Sequence, residues 1–201
     1  VTVDADDPNR HLALIGLSGV GKSTIGRLLA SELGLQWCDL DERLERKVGR
    51  TIADIFSTDG EPHFRSLESE VLTEALAEDR RMVISTGGGV ILAAENRTRL
   101  AERATCIWLR SAPERLAYRV ARDTGRPLLA GQDQGAVSVD PVAAVTERLI
   151  TMLETRGPLY TESADLILDV DRLRIPEVLH LLVAHERASG WTNPIETETA
   201  G

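Results

Sequence analysis

The chain has 201 residues, enough for one domain with a sizeable core, and its 42% hydrophobic and 27% charged residues are ordinary for a globular protein. Its 23 Lys and Arg against 32 Asp and Glu give a net charge of −9 with no basic run, which argues against nucleic acid as a partner. No apolar stretch approaches the roughly 18 residues needed to cross a bilayer, and the polar, acidic start lacks the basic and apolar regions of a secretory signal.

Residues 1–10 and 189–201 read as flexible tails around a single domain, 11–188. Residues 12–15 predict a first strand. Ile25, Leu28, Leu29 and Leu33 then repeat at helical spacing up to a stop at Gly34. A second strand is expected over 35–38. Phe64, Leu67, Val71, Leu72 and Leu76 mark a long amphipathic helix opened by the segment 58–65. Residues 82–85 predict a third strand. Residues 105–109 predict a fourth, followed by a helix through Leu116 and Val120. A stretch punctuated by glycine and proline over about 123–141 reads as a lid, and 156–160 closes the helix after it. A fifth strand over 166–170 and a helix over 176–188 complete the pattern. Strands alternating with helices imply an α/β fold with a mainly parallel sheet covered on both faces, whose ligands bind beyond the carboxyl ends of the strands. Cys38 and Cys106 sit in apolar surroundings without C-x-x-C spacing and read as buried thiols of a reducing cytoplasm.

After the first strand, 16–24 reads G-L-S-G-V-G-K-S-T, a complete G-x-x-x-x-G-K-[ST]. Such a loop turns its backbone N–H groups onto phosphate oxygens, and the helix that follows aims its positive end at the same anion. Gly19, Val20, Gly21, Lys22, Ser23 and Thr24 are the candidate contacts to a nucleoside triphosphate such as ATP. Lys22 reaches the β/γ-phosphates and the Ser23 hydroxyl is offered to Mg²⁺. The third strand ends in Ser85 and Thr86 without an acid, so Asp39, after the second strand, is the candidate second metal residue, acting through water.

Asp41 lies two residues beyond Asp39. It is either a plain helix N-cap or a carboxylate for substrate hydroxyls beside the loop. Arg65 falls in the early turns of its helix, where the dipole disfavours a cation, and makes more sense facing an anion such as a carboxylate. Gly87, Gly88 and Gly89 carry a conformational cost that suggests a ligand, or N–H groups turned to a charge. Arg126 at the start of the lid, and Arg156 beyond it, are either surface charges or parts of a closing phosphoryl-transfer site.

Taken together, the phosphate loop, D-L-D at 39–41, G-R-T-I-A-D-I-F at 49–56, D-G-E-P-H-F-R at 59–65, G-G-G at 87–89, R-P-L-L at 126–129 and R-G-P-L-Y at 156–160 resemble the shikimate kinases, small kinases of the nucleoside monophosphate kinase type. The resemblance spans about 12–185. It implies a three-layer P-loop kinase fold, with a five-stranded parallel sheet, a lid and a substrate-binding helical region. It also implies transfer of phosphate from ATP to the 3-hydroxyl of shikimate, in aromatic amino acid biosynthesis, by a cytoplasmic monomer. Asp41 would bind the ring hydroxyls. Arg65 and Arg156 would hold the carboxylate, and Gly87, Gly88 and Gly89 would line the pocket. Lys22 and Arg126 would steady the migrating phosphoryl group. Arg119 would pack on adenine, with Arg174 in the second adenine-contacting segment. The stretch between Arg126 and Arg156 is longer than the family's usual spacing, the extra part falling near 132–141. Two rivals stay open: another carboxylate kinase on the same scaffold, such as a gluconate kinase, and a nucleotide- or shikimate-sensing module without turnover.

Overall fold

Leu12, Ala13, Leu14 and Ile15 are all 0% exposed, the burial of a strand covered on both faces. In the computed structural model, which describes residues 10–120 and 141–190, they form the central strand β1 (His11–Ile15). Its neighbours are β3 (Met82–Ser85) and β4 (Ala104–Arg110), and the outer strands are β2 (Gln36–Asp39) and β5 (Leu166–Asp169). The order is β2-β3-β1-β4-β5, and every pairing is parallel. Chain order reverses direction across the sheet at β1, so a crevice opens beyond the carboxyl ends of β1 and β3. This is the expected sheet, and the strand limits move by a residue or so.

Helix α1 (Lys22–Leu33) ends at Gly34, whose φ of 66° lets its N–H reach back to the Ala30 and Ser31 carbonyls. It packs on β1, β2 and β3, with α7 (Ile175–Ala188) beside it. Helix α4 (Ala94–Arg103), entered through a short 3₁₀ turn (Val90–Leu92), and helix α6 (Pro141–Ser163) lie against β4. Helix α5 (Pro113–Val120) packs on α6. Helix α2 (Leu40–Val48) follows β2 directly and packs on α3 (Ile52–Leu76).

Two helix limits differ from the sequence expectation. Helix α3 begins at Ile52, because Thr51 and Asp54 form a reciprocal capping box; it then kinks at Gly60 (φ 80°, ψ 171°) and resumes through Pro62. The expected opening at 58–65 is the second half of this bent helix. Helix α6 does not close around Arg156 but runs through Pro158 to Ser163. Tyr160, 0% exposed and stacked on Trp108 with ring centroids 5.3 Å apart, anchors that last stretch.

The expected lid at 123–141, apart from Pro141, lies outside the described residues, as do Arg126 and the tails at 1–9 and 191–201. Arg10, counted with the amino-terminal tail, is buried and donates to the carbonyls of Ala101, at 2.7 Å, and Ala104 at the end of α4. Cys38 and Cys106 are both buried thiols, and burial, with the nearby Asp165 charge, pushes Cys106 up to about 12. Among the described residues no helix is long and apolar enough to cross a membrane.

Candidate active site

The turn from β1 into α1 is built on glycines that cannot be replaced freely. Gly16 has φ 136°, and a side-chain carbon there would stand 2.5 Å from the Leu109 carbonyl oxygen. Gly19 and Gly21 also have positive φ, and Gly21 serves as N-cap without any side chain across the helix end. No acid occupies the first turn of α1, so its amides are left to an outside anion. Lys22 is 7% exposed and donates to the carbonyls of Gly16 at 2.8 Å and Leu17 at 3.0 Å. Its ammonium is thus parked inside the loop. Ser85 Oγ ties β3 to this helix by donating to the Lys22 carbonyl at 3.0 Å, while accepting from Trp37 Nε1 at 3.0 Å.

A cavity of 410 Å³ opens over this loop. Its walls include Gly19, Val20, Gly21, Lys22, Ser23 and Thr24, then Asp41, Thr86 and Gly88 on one side. Arg119 on α5 and Val170, Leu173, Ile175 and Val178 around the start of α7 form the other. Loop and helix end therefore make an anion floor at one end, and apolar side chains with one arginine make a slot at the other.

Asp41 is not the N-cap. Because α2 follows β2 without a loop, Asp39 takes the cap: its Oδ1 accepts from Asp41 N at 3.0 Å and Glu42 N at 3.3 Å. That leaves the Asp41 carboxylate in the cavity wall. Asp39 is buried, does not line the cavity and commits one oxygen to the cap.

The three glycines after β3 are shaped as much by the protein's own side chains as by any ligand, which modifies the sequence expectation. A side-chain carbon on Gly87 would overlap Glu68 Oε1 and stand 3.2 Å from Asp41 Oδ1. One on Gly88 would stand 3.1 Å from Ser18 N, and one on Gly89 would overlap the Arg65 guanidinium. The Gly88 carbonyl accepts from Arg156 Nη1 at 3.1 Å and from the Tyr160 hydroxyl at 2.6 Å. Arg65, from the resumed half of α3, and Arg156, from α6, thus meet at one glycine turn beside Asp41.

Glu68, which carries no motif, lies against Gly87 at the same turn. It is 3% exposed, and its Oε2 accepts from Arg65 Nη1 at 2.7 Å. Burial pushes its carboxyl above the ordinary carboxylate range, against the pull of Arg65, Arg156 and Lys22. Glu68 Oε1 and Arg65 Nε are buried without a hydrogen-bond partner, leaving polar capacity at the turn for a bound molecule. The signal for Glu68 was its spacing of three from Arg65 on one helix face. Tyr160 likewise lies one turn beyond Arg156.

Arg174 is not brought into the cavity wall. Its side chain is 83% exposed and pairs with Glu177 at 3.0 Å in a capping box at the start of α7, while its neighbours Leu173 and Ile175 line the slot.

The family model for shikimate kinase matches residues 18–185. The chain belongs to the shikimate kinase family. The shikimate kinase of Legionella pneumophila (strain Corby) is 39% identical over 176 residues, covering 88% of this chain and 94% of the relative. That of Bordetella pertussis is 41% identical over 170 residues, covering 85% and 75%. Among solved structures, shikimate kinase from Acinetobacter baumannii in complex with shikimate superposes with a TM-score of 0.81 at 30% identity, over 94% of this chain and all of that one. A gluconokinase from Sinorhizobium meliloti shares the fold alone, at 18% identity and a TM-score of 0.52, with 90% and 93% covered. The shikimate kinase relatives thus carry the comparison, and the gluconate kinase rival rests on fold alone.

Proposed function

We propose that this chain transfers the γ-phosphoryl group of ATP to the 3-hydroxyl of shikimate, giving ADP and shikimate 3-phosphate. The observation that carries the reading is the convergence of Arg65 and Arg156 on the 87–89 turn, beside Asp41 and at the edge of the phosphate-loop cavity. Two guanidiniums suit a carboxylate, and one carboxylate beside them suits the hydroxyls of the same small molecule.

In this reading the nucleotide's phosphates lie on the amides of 19–24, and its base lies in the slot beside Arg119. Lys22 exchanges its bonds to the Gly16 and Leu17 carbonyls for phosphate oxygens and neutralises charge that grows in the transition state. Asp41 accepts a hydrogen bond from the attacking hydroxyl and holds it in line. It acts as an orienter first and a proton acceptor second, since phosphoryl transfer depends chiefly on positioning. Arg126 is assigned to the migrating phosphoryl group on the family resemblance.

The donor set for Mg²⁺ is sparse: the Ser23 hydroxyl in the cavity wall and the Asp39 carboxylate oxygen that does not cap α2. Among the described residues no group of three or more His, Cys, Asp and Glu could hold a metal by itself. Such a set fits an ion that arrives with phosphates and keeps much of its water, with Ser23 as a direct ligand and Asp39 acting through water. When bound, the ion would supply positive charge that screens the phosphates. The family resemblance assigns the chain to a monomer, and the reaction fits the cytoplasm, where ATP is at hand.

A coupled ADP-release assay with shikimate, gluconate and no acceptor tests the reading. Turnover is expected with shikimate. Equal or faster turnover with gluconate, or ADP release indifferent to acceptor, would reject it.

A further inference from the structure

The slot at the far end of the cavity has two walls from separate parts of the chain. Arg119 stands on α5, which follows β4, whereas Val170, Leu173 and Ile175 belong to the loop between β5 and α7. Strand pairing carries the two connections only as far as Arg110 opposite Asp169. Beyond that point Val170 N donates to the Arg110 carbonyl at 2.9 Å, and the side-chain bonds that follow converge on Asp171. Asp171 Oδ1 accepts from the Ser111 hydroxyl at 2.5 Å, and Oδ2 accepts from Ala112 N at 3.0 Å, at the entry to α5. The Asp171 carbonyl accepts from Arg115 Nη1 at 2.7 Å, and its own N–H donates to Asp169 Oδ1 at 3.2 Å.

We propose that Asp171 is the positioning residue for the base end of the nucleotide site, clamping the β5–α7 loop to the start of α5 and so fixing the gap between Arg119 and the apolar wall. Both carboxylate oxygens are used on the opposite connection, and Ser111 is 5% exposed, so one donor is locked in place before any ligand arrives. A carboxylate at the entry to α5 also lies where the helix dipole favours negative charge. Burial works against the charge on Asp171, but the Ser111 and Ala112 hydrogen bonds and the Arg115 and Arg119 charges outweigh it and hold the carboxyl below its ordinary range. Arg119, the cationic wall, thus acts electrostatically on the same carboxylate. A preformed gap spares the ligand the cost of ordering two loops, so the effect is confined to ligands that carry a base.

This rests on reading the cavity as the nucleotide site, and calorimetric titration with ADP and with inorganic tripolyphosphate separates the two claims. Asp171→Ala should weaken ADP about tenfold, equivalent to about 1.4 kcal/mol, and leave tripolyphosphate within about twofold. Asp171→Asn, which keeps one acceptor oxygen, and Ser111→Ala, which removes one of the two donors, should fall between Asp171→Ala and the parent chain. These two carry the test should Asp171→Ala not fold. In kinetics the KM for ATP should rise while that for shikimate stays. Equal weakening of ADP and tripolyphosphate would mean general softening of the fold, and unchanged ADP affinity would mean the clamp sets nothing; either overturns the proposal. If the parent chain fails to bind ADP, the cavity reading falls and the proposal with it.

Discussion

Glu68 holds Arg65 by a hydrogen bond of 2.7 Å, at a place where both lie against the 87–89 glycine turn. A flexible arginine is thereby fixed before a carboxylate arrives, and the acid fixing it is almost wholly buried. Glu68→Ala should therefore raise the KM for shikimate at least about tenfold, since hydrogen bonds to charged groups contribute about 1.5–3 kcal/mol. The KM for ATP should move much less. Initial rates with each substrate varied in turn check this, and a defect confined to ATP would contradict it.

Arg65 and Gly89 share one space, so a methyl group at 89 must displace the guanidinium, which is the far end of a flexible chain. Gly89→Ala should fold with nearly the parent melting temperature yet bind shikimate about tenfold more weakly, the scale of one lost charge-assisted hydrogen bond. Gly16→Ala is its counterpart. There φ is 136° and the obstacle is the Leu109 carbonyl, which cannot swing away. That variant should lose on the order of 2 kcal/mol of stability. Thermal melts of both, beside shikimate titrations, distinguish a site effect from a fold effect.

Lys22 donates to the Gly16 and Leu17 carbonyls, and its ammonium must leave them to meet a phosphate. Lys22→Ala should lose about 3 kcal/mol of transition-state stabilisation, or on the order of 10² in turnover. Near-parental kcat with saturating ATP and shikimate would contradict its assignment.

Away from the site, His11 is 4% exposed, and its Nδ1 accepts from Met82 N at 3.3 Å. Burial holds its pKa below the ordinary 6.5; hydrogen bonds with the Leu76 and Glu78 backbone oppose the shift, and the Arg103 and Arg81 charges add to it. As pH falls below 6.5, the unfolded chain takes up this proton before the folded one does. Stability should therefore drop from 6.5 down to the lowered value, then level off for this group. Melting temperatures from pH 7.5 to 5 should fall more steeply for the parent than for His11→Gln. Parallel curves would refute the link.

The phosphate loop and the order of strands and helices were determined by the sequence itself, because both depend on local spacing. The glycines, Lys22 and Ser23 are contiguous, and buried parallel strands show as short apolar runs such as 12–15 and 82–85. The candidates Asp41, Arg65, Gly88 and Arg156 were legible one by one, but their meeting was not. Arg65 and Arg156 come from helices far apart in the chain, and only the crossovers of the sheet bring both to the 87–89 turn. Tertiary structure also decided which aspartate caps α2, since that depended on β2 running straight into the helix. It likewise set Arg174 outward and Asp171 across two connections. For the meeting of Arg65 with Arg156 and for the Asp171 clamp, the deciding contacts lie between segments whose separation along the chain leaves no periodic signal, because such contacts arise only when burial of the sheet folds those segments together.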